Sequence, residues 1–412
     1  MQDVYRRLGI KTRINATGYA TALGGSVMAD EVLKAMVEAS QSFVDIAELQ
    51  AIASSRLAMY SGAEAGIVTS GASGALTLGA AACMTGLDAS KMDKLPNTEG
   101  MKDEIIMHCS HRCAYDHAIR ASGAKIKTFG FNDISSKAGG RGIEAWEVEA
   151  AITPNTVALA FTPTAHNIRD LKEVITATKK HEIPVIVDAA PLLPPVENLK
   201  RFIGAGAALV AFSGGKAIRG PQGTGILIGK RDLIAAAALQ QFDMSTCPET
   251  WNPPASLIPR NKIKGKPHHG IGRGMKVTKE EIVGLLVALD QFIKTDHNKL
   301  IKSMENILIK LKDDISNIPQ IRTNLIKAST SGLRPLLELY FDEDAIGMTT
   351  IEISLALKSG TPAININERR IYEGVLIIDP AELRIENCDH IIKAFKTILV
   401  RKSVKVRHKS KQ

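Results

Sequence analysis

Short, β-rich apolar runs recur along the first half of the chain: GIVTS (Gly66 to Ser70), EIIMH (Glu104 to His108), VALAFT (Val157 to Thr162), PVIVD (Pro184 to Asp188) and ALVAFS (Ala208 to Ser213). Between them lie segments with the length and composition of crossover helices, such as SGALTLGAAACM, RCAYDHAIRASG and LKEVITATKKH. Continuous apolar strands belong to sheets buried on both faces, and strand–helix alternation connects parallel neighbours. The pattern predicts an α/β fold with a mostly parallel central sheet, its functional loops lying beyond the carboxyl ends of the strands.

The texture changes at CPETWNPPASLIPRNKIKGKPHHGIGRG (Cys247 to Gly274), where Pro, Gly and basic residues interrupt any periodicity. In the following TKEEIVGLLVALDQFI, Thr278 and Glu281 are spaced as a capping box before an apolar stripe through Ile282, Leu285, Leu286 and Leu289. This helix is expected to open a second domain, in which strand-like pieces such as LLELYF and GVLIID alternate with helical ones. The division predicted is an N-terminal segment over 1–45 packing near the active site, a large domain over 46–250, an inter-domain loop over 251–277, a small α+β domain over 278–400 and a basic tail over 401–412.

Composition adds that 45% hydrophobic and 23% charged residues, in 412, suit an ordinary globular protein with a large core. Of the 52 Lys and Arg residues, six lie in the acid-free tail RKSVKVRHKSKQ, so much of the formal charge of +9 belongs to that run. A solvated, frayed tail is expected there rather than a nucleic-acid contact. Five scattered cysteines make an odd number and no disulfide framework. No apolar run reaches signal-peptide or membrane-spanning length, and a cytoplasmic protein without a membrane partner is expected.

Three strand-end loops carry candidate chemistry. TSGASGA (Thr69 to Ala75) places small residues before an immediate helix, leaving backbone N–H groups free for an anion, although small residues also permit close packing. VIVDAA ends a strand on Asp188, which either serves a ligand or caps a turn. In FSGGKAIRGPQGTG, Lys216 directly follows a strand and a glycine pair, and no stretch has the spacing of a nucleotide-binding P-loop. Pyridoxal phosphate needs a lysine for a Schiff base, a carboxylate for its pyridine nitrogen and a cup for its phosphate. Lys216, Asp188 and the Ser70–Ser73 turn answer to these needs, with the flanking glycines expected to let the cofactor approach the backbone.

SGGKAIRGPQGTGILIGK, IPVIVDAA, INATGYATALGGSVM and IGRGMKVTKEEIVGLL together resemble the selenocysteine synthase-like group of fold type I pyridoxal phosphate enzymes, within it the D-glucosaminate-6-phosphate ammonia-lyase branch. The resemblance runs from about residue 5 to residue 395. It implies that Lys216 carries the cofactor, that Asp188 faces the pyridinium nitrogen, that Ser70, Gly71, Ala72 and Ser213 contact the phosphate, and that the enzyme is a homodimer or larger assembly. It also implies that His111, in HCSHRCAYDH, stacks on the cofactor ring. A zinc site from His108, Cys109, His111 and Cys113 is the weaker alternative, because these residues alternate across the strand and no second ligand pair follows.

Two departures from the family pattern bear on the substrate. INATG begins at Ile14, without the N-terminal region of bacterial selenocysteine synthases, which argues against a tRNA substrate. In IIDPAELRIENC, Ala381 and Glu382 stand where relatives show an arginine, so no carboxylate-binding arginine is assigned there. Arg219, Arg273 and Lys276, with His268 and His269 behind them, are the candidates for gripping an acidic substrate. The function expected through the resemblance is an α,β-eliminating ammonia-lyase acting on a small acidic or phosphorylated amino acid or amino sugar acid. Transfer to aminoacyl-tRNA, racemisation, aldol cleavage and transamination stay open.

Overall fold

The computed structural model describes residues 4–131, 142–164, 167–331 and 333–409. They fall into two compact units, one of residues 28–294 and one built from both chain ends, 1–27 and 295–412. The strands are, in chain order, β1 Arg13–Ala16, β2 Ala65–Ser70, β3 Glu104–His108, β4 Lys125–Phe129, β5 Thr156–Phe161, β6 Val185–Asp188, β7 Leu209–Ser213, β8 Thr224–Gly229, β9 Ile321–Ile326, β10 Leu336–Phe341, β11 Ala363–Ile366 and β12 Val375–Ile378.

In the larger unit the described strands form one sheet in the order β2-β8-β7-β6-β5-β3-β4. Strands β3 to β7 run parallel, and β8 is antiparallel to both its neighbours. The apolar runs become its buried members: Val185, Ile186 and Val187 of β6 are sealed on both faces. Edge strand β4 escaped the apolar pattern because its sequence, KIKTF, is charged and exposed, as an edge must be to resist further pairing. The helix Gly71–Thr85 is apolar all round and buried from Gly74 to Ala82. Its small residues let it lie close on the sheet: a Cβ on Gly79 would stand 3.3 Å from Leu209 Cδ1.

The helix Lys279–Lys294, expected to open the second domain, belongs to the larger unit, which moves the boundary from 278 to 295. The reason is where its stripe goes. Ile282, Leu285 and Leu289 are buried, and Leu285 reaches the positions a Cβ would occupy on Gly214 and Gly220, beneath the Lys216 loop. Gly284 admits Met36 of the helix Asp30–Ser40, and Lys279 Nζ donates to the Ala39 carbonyl at 2.9 Å. The capping box is present, with Glu281 N–H on Thr278 Oγ1 at 3.2 Å and Thr278 N–H on Glu281 Oε2 at 3.1 Å.

The smaller unit holds the antiparallel sheet β12-β10-β9 and the parallel pair β1-β11 around a core that includes Leu308, Leu337, Ile353 and Phe395. The expected N-terminal segment is thus divided, 4–27 lying here and 28–45 in the larger unit. The last helix, Asn387–Lys409, carries the backbone of the basic run as helix to Lys409 in place of a frayed tail; residues 410–412 lie outside the described residues. Arg334, just ahead of β10, holds Asp379 with Nε at 2.8 and 2.9 Å from its two oxygens, and its guanidinium lies 4.9 Å from the Tyr19 ring centroid. The Asp-Pro turn without a following arginine is therefore met by one from the segment leading into β10.

Strand β8 sets a sharp steric demand. A Cβ on Gly225 would lie 2.3 Å from the Gly71 carbonyl carbon and 2.6 Å from the Ala72 nitrogen, backbone atoms that cannot turn aside. Gly225→Ala is expected to cost about 1–3 kcal/mol in urea unfolding and to weaken cofactor binding, because the turn it displaces is the cup. Gly204→Ala, where a Cβ meets nothing within 4 Å, serves as the control and should be neutral or stabilising.

Candidate functional site

The site grows from the carboxyl ends of adjacent strands. Asp188 on β6 lies opposite Ala211 of β7, the Ala189 N–H donates to the Ala211 carbonyl at 2.9 Å, and the Ser213 N–H reaches the Ala190 carbonyl at 3.3 Å. Lys216, half-buried, follows in a turn closed by Arg219 N–H on the Lys216 carbonyl and Gly220 N–H on the Gly214 carbonyl, each 2.9 Å. The glycines here answer to the chain itself rather than to a cofactor. A Cβ on Gly214 would sit 2.2 Å from Thr224 Oγ1, and one on Gly215 2.5 Å from Gln222 Cα. Arg219 closes the loop in the left-handed region, at φ 60°, where a non-glycine residue is strained.

Among the described residues Asp188 accepts one hydrogen bond, from the Ala190 N–H at 3.1 Å. Desolvation pushes its pKa above the ordinary carboxylate value, against the Ala190 N–H and the nearby Lys216 charge, which pull it down. The fold has thus set a carboxylate that calls for a cation beside a lysine.

His111 occupies the short turn after β3 and is buried, its ring edge-on to Phe161 of β5 with centroids 4.7 Å apart. Burial, then the neighbouring His108, bring its pKa down to about 4, so it is a neutral imidazole at neutral pH. Its Nε2 lies 2.7 Å from Asn167 Nδ2, while its Nδ1 has no hydrogen-bond partner among the described residues. The zinc-type cluster does not assemble: His108 Nδ1 pairs with Ser110 Oγ at 2.7 Å, and among the described residues no three His, Cys, Asp or Glu side chains gather as metal ligands.

The cup is made by three strands. Ser70 ends β2 opposite Thr224, and Ser213 ends β7 opposite Gly225, so the two serines flank the start of β8. Gly71 takes φ 71°, and Ser70 makes no side-chain bond to the helix it precedes, which leaves the N–H groups of Gly71–Thr85's first turn uncapped by it. Such a helix start favours an anion.

The candidate substrate cations are elsewhere. Arg273 directs Nε and Nη2 at Asp243 Oδ2, 2.9 and 2.7 Å away, and Ser245 and then Arg273 hold the Asp243 carboxyl well below its usual pKa. Arg273 and exposed Lys276 line a cavity of about 540 Å³ with Asp243, Gln50 and Trp251, and none of Lys216, Asp188 and His111 borders it. His268 pairs with Asp93, and His269 accepts the Met244 N–H. Lys216, Asp188, His111, Ser70 and Ser213 thus share one row of strand ends, and Arg273 and Lys276 stand apart. Sequence reasoning missed Asn167, which the rule of looking just past each strand end would have reached in TPTAHN after β5.

This strand order, with a lysine loop after β7 beside a half-buried carboxylate on β6 and a helix start across β8, defines a fold type I pyridoxal phosphate enzyme. The chain belongs to the aminotransferase class-V family, whose profile matches residues 67–334. It is 26% identical over 386 residues to D-glucosaminate-6-phosphate ammonia lyase of Salmonella typhimurium (strain 14028s / SGSC 2262), covering 92% of this chain and 93% of that one. It is also 26% identical over 409 residues to a 5'-C-glycyluridine monooxygenase-decarboxylase of Streptomyces sp, covering 96% and 92%. A solved structure of D-glucosaminate-6-phosphate ammonia-lyase superposes with a TM-score of 0.78 at 25% identity, over 97% of this chain and 99% of that one. Pyridoxal phosphate is the cofactor, and the residues present suit it: a carboxylate whose ionisation burial disfavours, a helix start that the Ser70 side chain does not cap and a buried imidazole nitrogen without a partner among the described residues.

The raised pKa of Asp188 has a measurable sign. Above the unfolded-state value of about 3.9 the unfolded chain ionises this group more readily than the folded one, so its ionisation costs stability as pH climbs toward and through the raised folded value. In the cofactor-free protein Asp188→Asn should therefore melt at a higher temperature than the parent at pH 7, with the gap closing toward pH 4. A gap of equal size at both pH values would count against an uncompensated carboxylate. Cofactor affinity should fall in the same variant.

Proposed function

We propose that the chain is an ammonia-lyase acting on a phosphorylated amino sugar acid of the D-glucosaminate 6-phosphate kind. The observation that carries this reading is the likeness to that lyase over more than nine-tenths of both chains, in sequence and in fold. Lys216, Asp188 and His111 are assigned as its catalytic residues, and Ser70, Gly71, Ala72 and Ser213 as the residues around the cofactor's phosphate.

Bound there, pyridoxal phosphate supplies an electron sink for the charge left when a proton departs from the carbon bearing the amine. Asp188 keeps a negative charge facing the ring nitrogen, in surroundings where that charge is worth more than in water. Lys216 Nζ, half-buried beside it, is the base that takes the proton. His111 offers a neutral ring held edge-on by Phe161. Loss of a β-hydroxyl and hydrolysis of the enamine then give a keto acid and ammonia. Oxidative decarboxylation is a second reading, raised by the similarity to the monooxygenase-decarboxylase.

Incubation with D-glucosaminate 6-phosphate should release a keto acid and ammonia in equal amounts without oxygen uptake. Lys216→Ala should abolish release, and borohydride should fix cofactor on the peptide that contains Lys216. Oxygen consumption matched to carbon dioxide release would replace the lyase reading with the oxidative one.

We also infer a homodimer or larger assembly. Leu33, Val37, Phe43, Val44, Ile46, Ile52 and Met59 are exposed apolar residues on and between the helices Asp30–Ser40 and Ile46–Ser61, and Ile46 also lines the Arg273 cavity. Lys276 is assigned to substrate binding on this basis, in a site that a second copy completes and whose wall Arg273 holds through its pair with Asp243; Arg219, in the Lys216 loop, is kept as a separate substrate-binding candidate. Phe43→Asp should shift the sedimentation coefficient to that of a monomer and lower activity. Mixing inactive Lys216→Ala with inactive Lys276→Ala protein should restore part of the activity if the two residues serve one site from different copies.

A further inference from the structure

Asn167 makes more contacts than a loop residue needs. Its Oδ1 accepts the Thr164 N–H at 2.6 Å, its Nδ2 donates to the Thr162 carbonyl at 3.1 Å, and the same Nδ2 lies 2.7 Å from His111 Nε2. The first two contacts fix which end of the amide is which. Turned over, the amide would set N–H against N–H and oxygen against oxygen, so the end facing His111 is the donor. A neutral imidazole that accepts at Nε2 must carry its hydrogen on Nδ1. That Nδ1 is buried, on a residue only 4% exposed, and has no partner among the described residues.

We propose that Asn167 is a positioning residue that locks His111 in the Nδ1–H tautomer, so that His111 presents a hydrogen-bond donor to an oxygen of the bound cofactor or substrate. Buried donors are rarely left unmade in a folded protein, and one held in place by a dedicated amide awaits an acceptor that arrives with the ligand. The Nε2 contact with Asn167 and the edge contact with Phe161 hold the ring in this orientation. The proposal rests on reading this row of strand ends as the cofactor site; the tautomer is independent of which amino substrate is used, and only the substrate-oxygen arm of the test rests on the lyase reading.

The test is nitrogen NMR on cofactor-free protein labelled with ¹⁵N-histidine, the His111 signals being identified by their loss in His111→Gln. The parent should show a pyrrole-type Nδ1 and a pyridine-type Nε2. Asn167→Asp puts an acceptor-only carboxylate at Nε2 and should invert that pattern, and Asn167→Leu should release it to a tautomer mixture. Pyridoxal phosphate alone should move the Nδ1–H signal if a cofactor oxygen is the acceptor; if the oxygen belongs to the substrate, only addition of D-glucosaminate 6-phosphate to the loaded enzyme should. Losing one such bond should weaken binding of the ligand concerned by about tenfold. A pyridine-type Nδ1 in the parent overturns the proposal whether or not either variant folds, and so does an Nδ1–H that neither compound moves. Failure of the lyase assay leaves these spectra untouched.

Discussion

Asp188 ends a strand whose other residues are sealed from water, and ionising it there costs free energy that one backbone N–H and a nearby ammonium do not return in full. Much of the larger unit follows from holding that group in place. The β6–β7 pairing that sets Asp188 opposite Ala211 continues into the Ser213–Ala190 bond, and three residues later the chain reaches Lys216. On the proposed assignment the lysine is no lasting counter-ion, because a lysine that carries a cofactor or takes a proton spends part of its cycle uncharged. A protonated ring nitrogen would be one, and on that assignment the carboxylate stores a preference for the loaded protein in its own desolvation.

The second coupling is steric. Strand β8 runs against its neighbours, so its first residues pass between the ends of β2 and β7 and touch both halves of the cup. Glycines at 214, 215 and 225 give room for chain against chain: Thr224, Gln222 and the Gly71–Ala72 backbone fill the space side chains would need. Leu285 closes the underside, which is why the helix Lys279–Lys294 folds with this unit rather than with the one that follows it. The Ser70–Ala72 turn and the lysine loop are therefore one packed object, and neither can shift without the other.

The parts of this arrangement legible in the sequence were those carried by local pattern. Continuous apolar runs located the buried strands within a residue or so, and looking beyond their ends reached Lys216, Asp188 and the Ser70 turn. Reading failed where partners are distant in sequence. Thr278 and Glu281 announce a helix start, yet nothing in TKEEIVGLL says that Leu285 will pack under Gly214, so the expected unit boundary falls seventeen residues early. Asp243 precedes Arg273 by thirty residues of irregular chain, and an ion pair across such a loop has no periodicity to betray it. Strand β4 was invisible because an edge strand is selected to look polar.

The same ion pairs bear on how an acidic substrate is met. Arg273 spends its fork on Asp243, and Arg334, in the other unit, spends its own on Asp379. A guanidinium already paired with a carboxylate offers an incoming anion little net charge, and displacing the aspartate would strand that carboxylate in turn. At the Arg273 cavity the charge open to a ligand is instead exposed Lys276, which makes no ion pair among the described residues. An ammonium on a flexible stem fixes how far an anion sits but not how it is turned. Orientation then falls to groups whose directions the fold has already set, and on the inference above the Nδ1 edge of His111, held by Asn167, is one of them. Charge at the rim and direction at the strand ends are thus separate provisions, made by residues that local sequence does not connect.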